Sequence, residues 1–336
     1  MKICIVGAGA IGGLMGAKLA LAGEEITVVD QGVHLDAIRQ NGLKLIWEDG
    51  SEHAAQVANA VDNVRDAGPQ DLVVLALKAH YFDQVAKDIG HLMHDNTMIV
   101  TAQNGIPWWY FHKLGGPHDG HRLDSLDPDK VLEKNIDSNR IIGCVVYPAA
   151  DVPEPGVIHH VEGDRFPVGE LDGSATERVQ LLHDTFVNCG FRSRILDDIR
   201  SEIWLKAWGN LSFNPISALT HATLVDICQF KETRNLAASM MTEAQTVAEK
   251  LGITFRHTIE KRIAGAESVG SHKTSMLQDV EAGRSLETEA LIGAILELSK
   301  ITETPAPSIE AIYACVKLLN KVMLLEGAGV RVSAAA

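Results

Sequence analysis

The chain is predicted to be an α/β protein, with an N-terminal Rossmann-type doubly wound parallel sheet and a second, all-helical C-terminal domain. Three observations predict this. A short apolar strand, Lys2–Val6, runs directly into Gly7-x-Gly9-x-x-Gly12, and an Ala/Leu-rich helix follows. Short β-rich runs then alternate with helical patterning up to residue 106, the signature of βαβ units. From 201 to 326 the strand signal is gone, and four or five amphipathic helices fill the segment.

The first turn is the most informative element. Gly7 permits the tight turn out of the strand, Gly9 lets backbone amides approach a pyrophosphate, and Gly12 allows the helix to pack closely on the sheet. The helix start adds free N–H groups and a positive dipole end. Gly7, Gly9, Ala10, Ile11 and Gly12 are therefore expected to hold a dinucleotide, with Asp30 and Gln31 at the end of the second strand beside its adenosine ribose. Further strands are expected at 25–30, 71–77 and 97–102, and helices at 13–22 and 80–93. Residues 112–139, polar and rich in Gly, Pro and Asp, read as a surface insertion. Strands resume at 140–147 and 156–161, 166–169 completes the sheet, and a helix over 174–189 and a strand near 191–196 follow. The expected division is a dinucleotide-binding domain over 1–198 and a helical substrate domain over 199–330, before a short Ala-rich tail.

Composition excludes several classes of function. With 336 residues, 46% of them hydrophobic, the chain can bury two cores. A net charge of −14 without any basic run excludes a nucleic-acid partner. The five cysteines are scattered, with no Cys-x-x-Cys, and read as reduced core residues of a cytoplasmic protein. No signal peptide is expected, because the first twelve residues are taken by a strand and its loop, and no run approaches the ~18 apolar residues of a membrane span. A homodimer is compatible with the helical half. His112, His118 and His121 with Asp119 and Asp124 fit no ligand spacing, so no metal is expected.

The helical half opens with Ser201-Glu-Ile-Trp-Leu-Lys-Ala-Trp-Gly-Asn-Leu-Ser-Phe-Asn-Pro. Lys206, Asn210 and Asn214 recur every four residues and share one helical stripe. Flanked by Trp204, Trp208, Leu211 and Phe213, these polar groups need a ligand or one another. A solvated polar face of an amphipathic helix fits the same spacing, and spacing does not choose between the two.

Four motifs in the same order resemble the ketopantoate reductase family over nearly the whole chain: the N-terminal fingerprint, Thr101-Ala-Gln103-Asn104-Gly105, Trp204-x-Lys206-x-x-x-Asn210-x-x-x-Asn214, and Ser275-Met-Leu-Gln-Asp279-Val-Glu-Ala-Gly283-Arg284-x-x-Glu287. The resemblance implies NAD(P)H-dependent reduction of a 2-oxo acid, ketopantoate, to the 2-hydroxy acid pantoate, a step of pantothenate biosynthesis. By the same resemblance Lys206 is the general acid, Asn104, Asn210 and Asn214 line the cleft, Ser275 and Glu287 bind the substrate, and Lys78 lies near the adenosine phosphate. Chemically, a positioned cation that can release a proton suits the charge that hydride transfer leaves on a carbonyl oxygen. Glu287 and Glu289 also fit a plainer role as first-turn acids complementing a helix dipole.

Two departures bear on specificity. Where the family commonly has an arginine beyond the second strand to hold the 2′-phosphate of NADPH, this chain reads Val28-Val29-Asp30-Gln31-Gly32. A carboxylate there favours the ribose hydroxyl of NADH. The second is Trp108-Trp109-Tyr110-Phe111, readable as a bulky pocket wall or as a satellite hydrophobic cluster. The alternatives are a reductase for another, bulkier 2-oxo acid and, more remotely, a non-catalytic dinucleotide sensor.

Overall fold

In the computed structural model, which describes residues 1–332, the chain divides into two compact units, residues 1–103, 108–122 and 127–199 against 104–107, 123–126 and 200 onward. The Ala-rich tail lies outside the described residues.

The first unit holds two sheets. Its strands are β1 (Lys2–Val6), β2 (Glu25–Val29), β3 (Leu43–Ile46), β4 (Glu52–Ala55), β5 (Asn59–Val61), β6 (Leu72–Leu75), β7 (Met98–Thr101), β8 (Ile141–Cys144), β9 (Ala149–Glu154), β10 (Val157–Glu162) and β11 (Val168–Gly169). The main sheet has seven strands in the order β11-β8-β7-β6-β1-β2-β5. All its neighbours run parallel except β11, which is antiparallel to β8. Strand order reverses at β1, so the crevice that an open α/β sheet offers a ligand falls at the Gly7 turn. The four inner residues of β1, β2, β6 and β7 are buried, as expected of strands covered on both faces.

The helices here are α1 (Ala10–Leu21), α2 (Gly32–Asn41), α3 (Phe82–Ala86), α4 (Val131–Asn135) and α5 (Glu177–Asn188). Helix α1 is buried from Gly12 to Leu19 because a second sheet, β4-β3-β10-β9, packs on its other side. A Cβ built at Gly13 would lie 2.4 Å from Ile158 Cδ1.

That second sheet corrects the sequence reading. Residues 156–161 were expected in the main sheet, but β10 pairs with β9 and β3 instead. Strands β3, β4 and β5 hold only three or four residues each, too few to give a clear period-2 signal. The helix expected over 80–93 is broken into a 3₁₀ turn, α3 and a second 3₁₀ turn containing Gly90, a residue of poor helix propensity. Around 191–196 the pairing reduces to isolated bridges at Arg192 and Ile195. Within this unit the polar insertion is pinned by buried Leu132 and Ile136, and Asp127 caps α4 by accepting from Leu132 N and Glu133 N.

The second unit contains α6 (Ile199–Thr220), α7 (Leu224–Gln229), α8 (Lys231–Lys250), α9 (Ile259–Ser268), α10 (Ser275–Glu281), a π-turn (Glu289–Gly293), α11 (Ala294–Ile301) and α12 (Pro307–Glu326). This is more than the four or five helices expected, because α7 and α10, of six and seven residues, are too short to show a helical period. In α8, Ala237, Met240, Met241, Ala244, Val247 and Ala248 are buried, a clean i, i+3, i+4 stripe. Among the described residues no helix is long and apolar enough to cross a membrane. Four cysteines are buried, but Cys315 is exposed on α12.

Candidate active site

The glycine loop has the geometry a dinucleotide needs. Gly7 sits at φ +92, and a Cβ there would press to 2.6 Å from Leu77 Cδ2. At Gly12 a Cβ would stand 1.9 Å from the Gly7 carbonyl oxygen and 2.8 Å from Ala76 Cβ. Gly9 is the opposite case: nothing lies within 4 Å of its Cβ position, so the exposed face of the loop is open to a phosphate. Gly9 is also the N-cap of α1, with no side-chain cap and no acid in the first turn. The helix dipole at Ala10 and Ile11 is thus left to a ligand, and these residues fit the diphosphate of a dinucleotide.

Asp30 and His34 hold that loop from both sides. Asp30 Oδ2 accepts from Ala8 N at 2.7 Å and Oδ1 from Gln31 N at 2.7 Å. The Ala8 carbonyl lies 2.8 Å from His34 Nε2, and His34 Nδ1 accepts from Gly156 N at 3.0 Å. Because Nδ1 is an acceptor, Nε2 carries the proton and donates to Ala8. Sequence reasoning found Asp30 but missed both its loop bonds and His34. Lys78 caps a 3₁₀ turn at Ala79–Tyr81 and is half-buried.

In the second unit α6 presents the polar stripe on a helix whose other face is core. Trp204 and Trp208 are fully buried, and Trp208 Nε1 donates to the Met241 carbonyl at 2.7 Å. Lys206 and Asn210 stay half-buried while Asn214 is 6% exposed. Lys206 Nζ donates to Asn104 Oδ1 at 2.7 Å, and Asn104 Nδ2 donates to Glu287 Oε2 at 3.5 Å. A carboxamide can take a proton donor on its oxygen and serve an anion from its N–H₂. Farther along, Asn214 Nδ2 donates to Ser275 Oγ at 3.4 Å. Ser275 is the exposed first residue of α10. Pro215 lacks an N–H, so the Leu211 carbonyl loses its ladder partner between the two asparagines.

The loop bearing Asn104 is fastened to the segment bearing Glu287. Gly105 adopts φ +79, and a Cβ there would fall 2.1 Å from the Ala290 carbonyl oxygen. That carbonyl instead accepts from Ile106 N at 2.9 Å. It belongs to the π-turn, a helical irregularity often found at functional sites. The two acids diverge: Glu289 accepts from Tyr313 Oη at 2.8 Å and pairs with Lys317 at 3.0 Å, while Glu287 turns to Asn104.

The aromatic run 108–111 is buried in the first unit. Trp108 packs edge-on to Phe82, Trp109 Nε1 donates to Thr101 Oγ1, and Phe111 meets His118 and His121. This is the satellite cluster, and it anchors the insertion. Arg262 and Gly209 had no place in the sequence reading. The signal available was a glycine inside α6, which costs roughly 0.5–1 kcal/mol relative to alanine. A Cβ at Gly209 would lie 2.0 Å from Arg262 Nη2.

The chain resembles known proteins over nearly its whole length. The chain is 52% identical to the 2-dehydropantoate 2-reductase of Mesorhizobium japonicum, over 95% of this chain and 98% of that one. A crystal structure of a putative ketopantoate reductase from Ralstonia solanacearum MolK2 superposes with TM-score 0.91 at 36% identity, over 96% and 98% of the two chains. D-mandelate dehydrogenase with NADH and anilino(oxo)acetate, at 22% identity, TM-score 0.82 and 96% and 100% coverage, shares the fold. Residues 3–173 match the family described as Ketopantoate reductase PanE/ApbA and 198–320 its C-terminal family, so the chain belongs to the ketopantoate reductases.

Proposed function

We propose that the chain is an NAD(P)H-dependent oxidoreductase acting on a CH–OH group, reducing 2-dehydropantoate to pantoate. The observation that carries the reading is the relay Lys206–Asn104–Glu287, two bonds that tie a cation to a carboxylate through one amide. A nicotinamide dinucleotide held at the Gly7–Gly12 loop supplies the hydride. The chain's own part is to meet the charge that builds on the C2 oxygen: Lys206 Nζ stabilises it and then protonates it. Asn104 orients the ammonium, and Glu287 accepts from a substrate hydroxyl. Asn210, Asn214 and Ser275 give neutral donors and acceptors for the remaining polar atoms.

For the cofactor, the proposal is that NADH serves at least as well as NADPH. Asp30 keeps a carboxylate at the end of β2, where it opposes a 2′-phosphate. A cytoplasmic homodimer completes the proposal, with sedimentation as the check on assembly. The decisive experiment is a steady-state screen of 2-oxo acids with NADPH and NADH in parallel. Ketopantoate is expected to give the highest kcat/KM. A bulkier acid in first place would replace the substrate, and dinucleotide binding without any turnover would replace the activity.

A further inference from the structure

We propose that Arg262 is the specificity-determining residue for the substrate's carboxylate, its guanidinium seated in a notch that Gly209 opens in the catalytic helix. The inference rests on the 2-oxo acid reading above. A 2-oxo acid carries its negative charge one bond from the carbonyl that Lys206 serves. Among the residues already brought together the cation, Lys206, is committed to the carbonyl oxygen in that reading, while Asn104, Asn210, Asn214 and Ser275 are neutral and Glu287 repels the charge. A planar carboxylate is best recognised by a planar fork of donors, which is what a guanidinium offers.

Gly209 supplies the place. It is buried in the interior of α6, three residues after Lys206 and one before Asn210. Residues three apart are neighbours on a helix surface, about 5–6 Å between Cβ positions. A Cβ at Gly209 would lie 2.0 Å from Arg262 Nη2, 2.7 Å from Cζ and 3.0 Å from Nε. The guanidinium therefore occupies the space that a side chain at 209 would fill, on a face of α6 one turn from Lys206. Arg262 reaches there from α9, whose first turn is set by Thr258: its Oγ1 accepts from Lys261 N and its carbonyl from Arg262 N. On the same flank, Glu202 takes Arg256 at both oxygens, Nη2 to Oε1 at 3.1 Å and Nη1 to Oε2 at 2.9 Å. Arg262, half-buried, thus stands on a capped helix with its guanidinium against α6 before substrate arrives, the preorganisation that a binding group needs.

The test compares a 2-oxo acid with its neutral primary amide, which keeps the ketone and lacks the charge. Wild type should prefer the acid by about 100-fold or more in kcat/KM. Arg262→Gln should lower kcat/KM for the acid by about 100-fold, chiefly through KM, and change the amide by less than about threefold. Arg262→Lys, keeping charge without the fork, should recover part of the loss. Gly209→Ala displaces the guanidinium while leaving its charge, and should act in the same direction. Titration of NADPH by fluorescence and the thermal midpoint report whether each variant stays folded. Equal losses on acid and amide, or a preference for the acid unchanged in both Arg262→Gln and Gly209→Ala, would overturn the assignment. Failure of the underlying reading looks different: wild type would then reduce neither compound, or Lys206→Ala would reduce both normally.

Discussion

The glycine loop of the first unit and the polar stripe of the second are built in opposite ways. At the loop the working parts are backbone: a positive φ at Gly7, a helix packed to within contact of the Gly7 carbonyl at Gly12, and open space at Gly9. Side chains there, Asp30 and His34, hold Ala8 by its N–H and its carbonyl. At the stripe an ordinary helix carries the parts, and everything depends on which side-chain atoms meet: Lys206 on Asn104, Asn104 on Glu287, Asn214 on Ser275. A backbone device fails when a Cβ is added where the chain packs on itself, as at Gly7 and Gly12. A side-chain device fails when one functional group is removed, and its fold survives.

The largest effect should come from the side-chain device. Lys206→Ala is expected to lower kcat by about 10² to 10⁴, the range of general acid catalysis, while NADPH affinity by fluorescence titration changes little. Near-normal turnover would return the stripe to a solvated helix face. The backbone device should fail in the reverse pattern. Gly12→Ala sets a Cβ 1.9 Å from the Gly7 oxygen, an overpacking of roughly 1–3 kcal/mol, and should weaken dinucleotide binding by about tenfold to a hundredfold. Turnover at saturating cofactor should survive better than binding does. A variant that binds normally but turns over slowly would mean the loop acts on chemistry as well.

Glu287→Ala is next in size. Losing an anchor present in both ground and transition states should raise KM and lower kcat/KM by about tenfold to thirtyfold. It also frees the Asn104 amide, so kcat should fall slightly. Unchanged kinetics would class Glu287 with Glu289, whose carboxylate is already committed to Tyr313 and Lys317.

The same contrast decides what could be read from sequence. The loop was legible because its backbone conformation restricts residue choice, leaving Gly7, Gly9 and Gly12 in fixed spacing. The stripe was half legible: helical periodicity placed Lys206, Asn210 and Asn214 on one side, but not in a site. Contacts of long separation were hidden, since Asn104 and Glu287 are 183 residues apart and no local pattern joins them. Residue type misleads as well. Lys18 is nearly as buried as any core residue, donates to the Gly190 carbonyl and lies over the faces of Trp47 and Phe191. Burial pushes its pKa down against the pull of Cys189 and Asp164, and with a carbonyl and two rings as its direct contacts it is a packing lysine. Arg262 was invisible because its meaning lies in a missing Cβ on another helix.

The smallest predicted effect separates two roles that Asp30 holds at once. Its carboxylate staples the loop, one oxygen to Ala8 N and one to Gln31 N, and in the proposed cofactor reading its charge opposes a 2′-phosphate. Asp30→Asn splits these roles, because an amide can accept from one of the two N–H groups but presents its own N–H₂ to the other. Loop order should suffer equally for both cofactors, lowering affinity for NADH and NADPH together. The removed charge should act on NADPH alone and raise the NADPH/NADH ratio of kcat/KM. In Asp30→Ala with Gln31→Arg the added guanidinium can grip the phosphate, and the ratio should rise by about tenfold, or ~1.4 kcal/mol of differential transition-state binding. If both variants weaken the two cofactors equally and leave the ratio alone, Asp30 is a staple and nothing more, and cofactor choice passes to Lys78 and its neighbours.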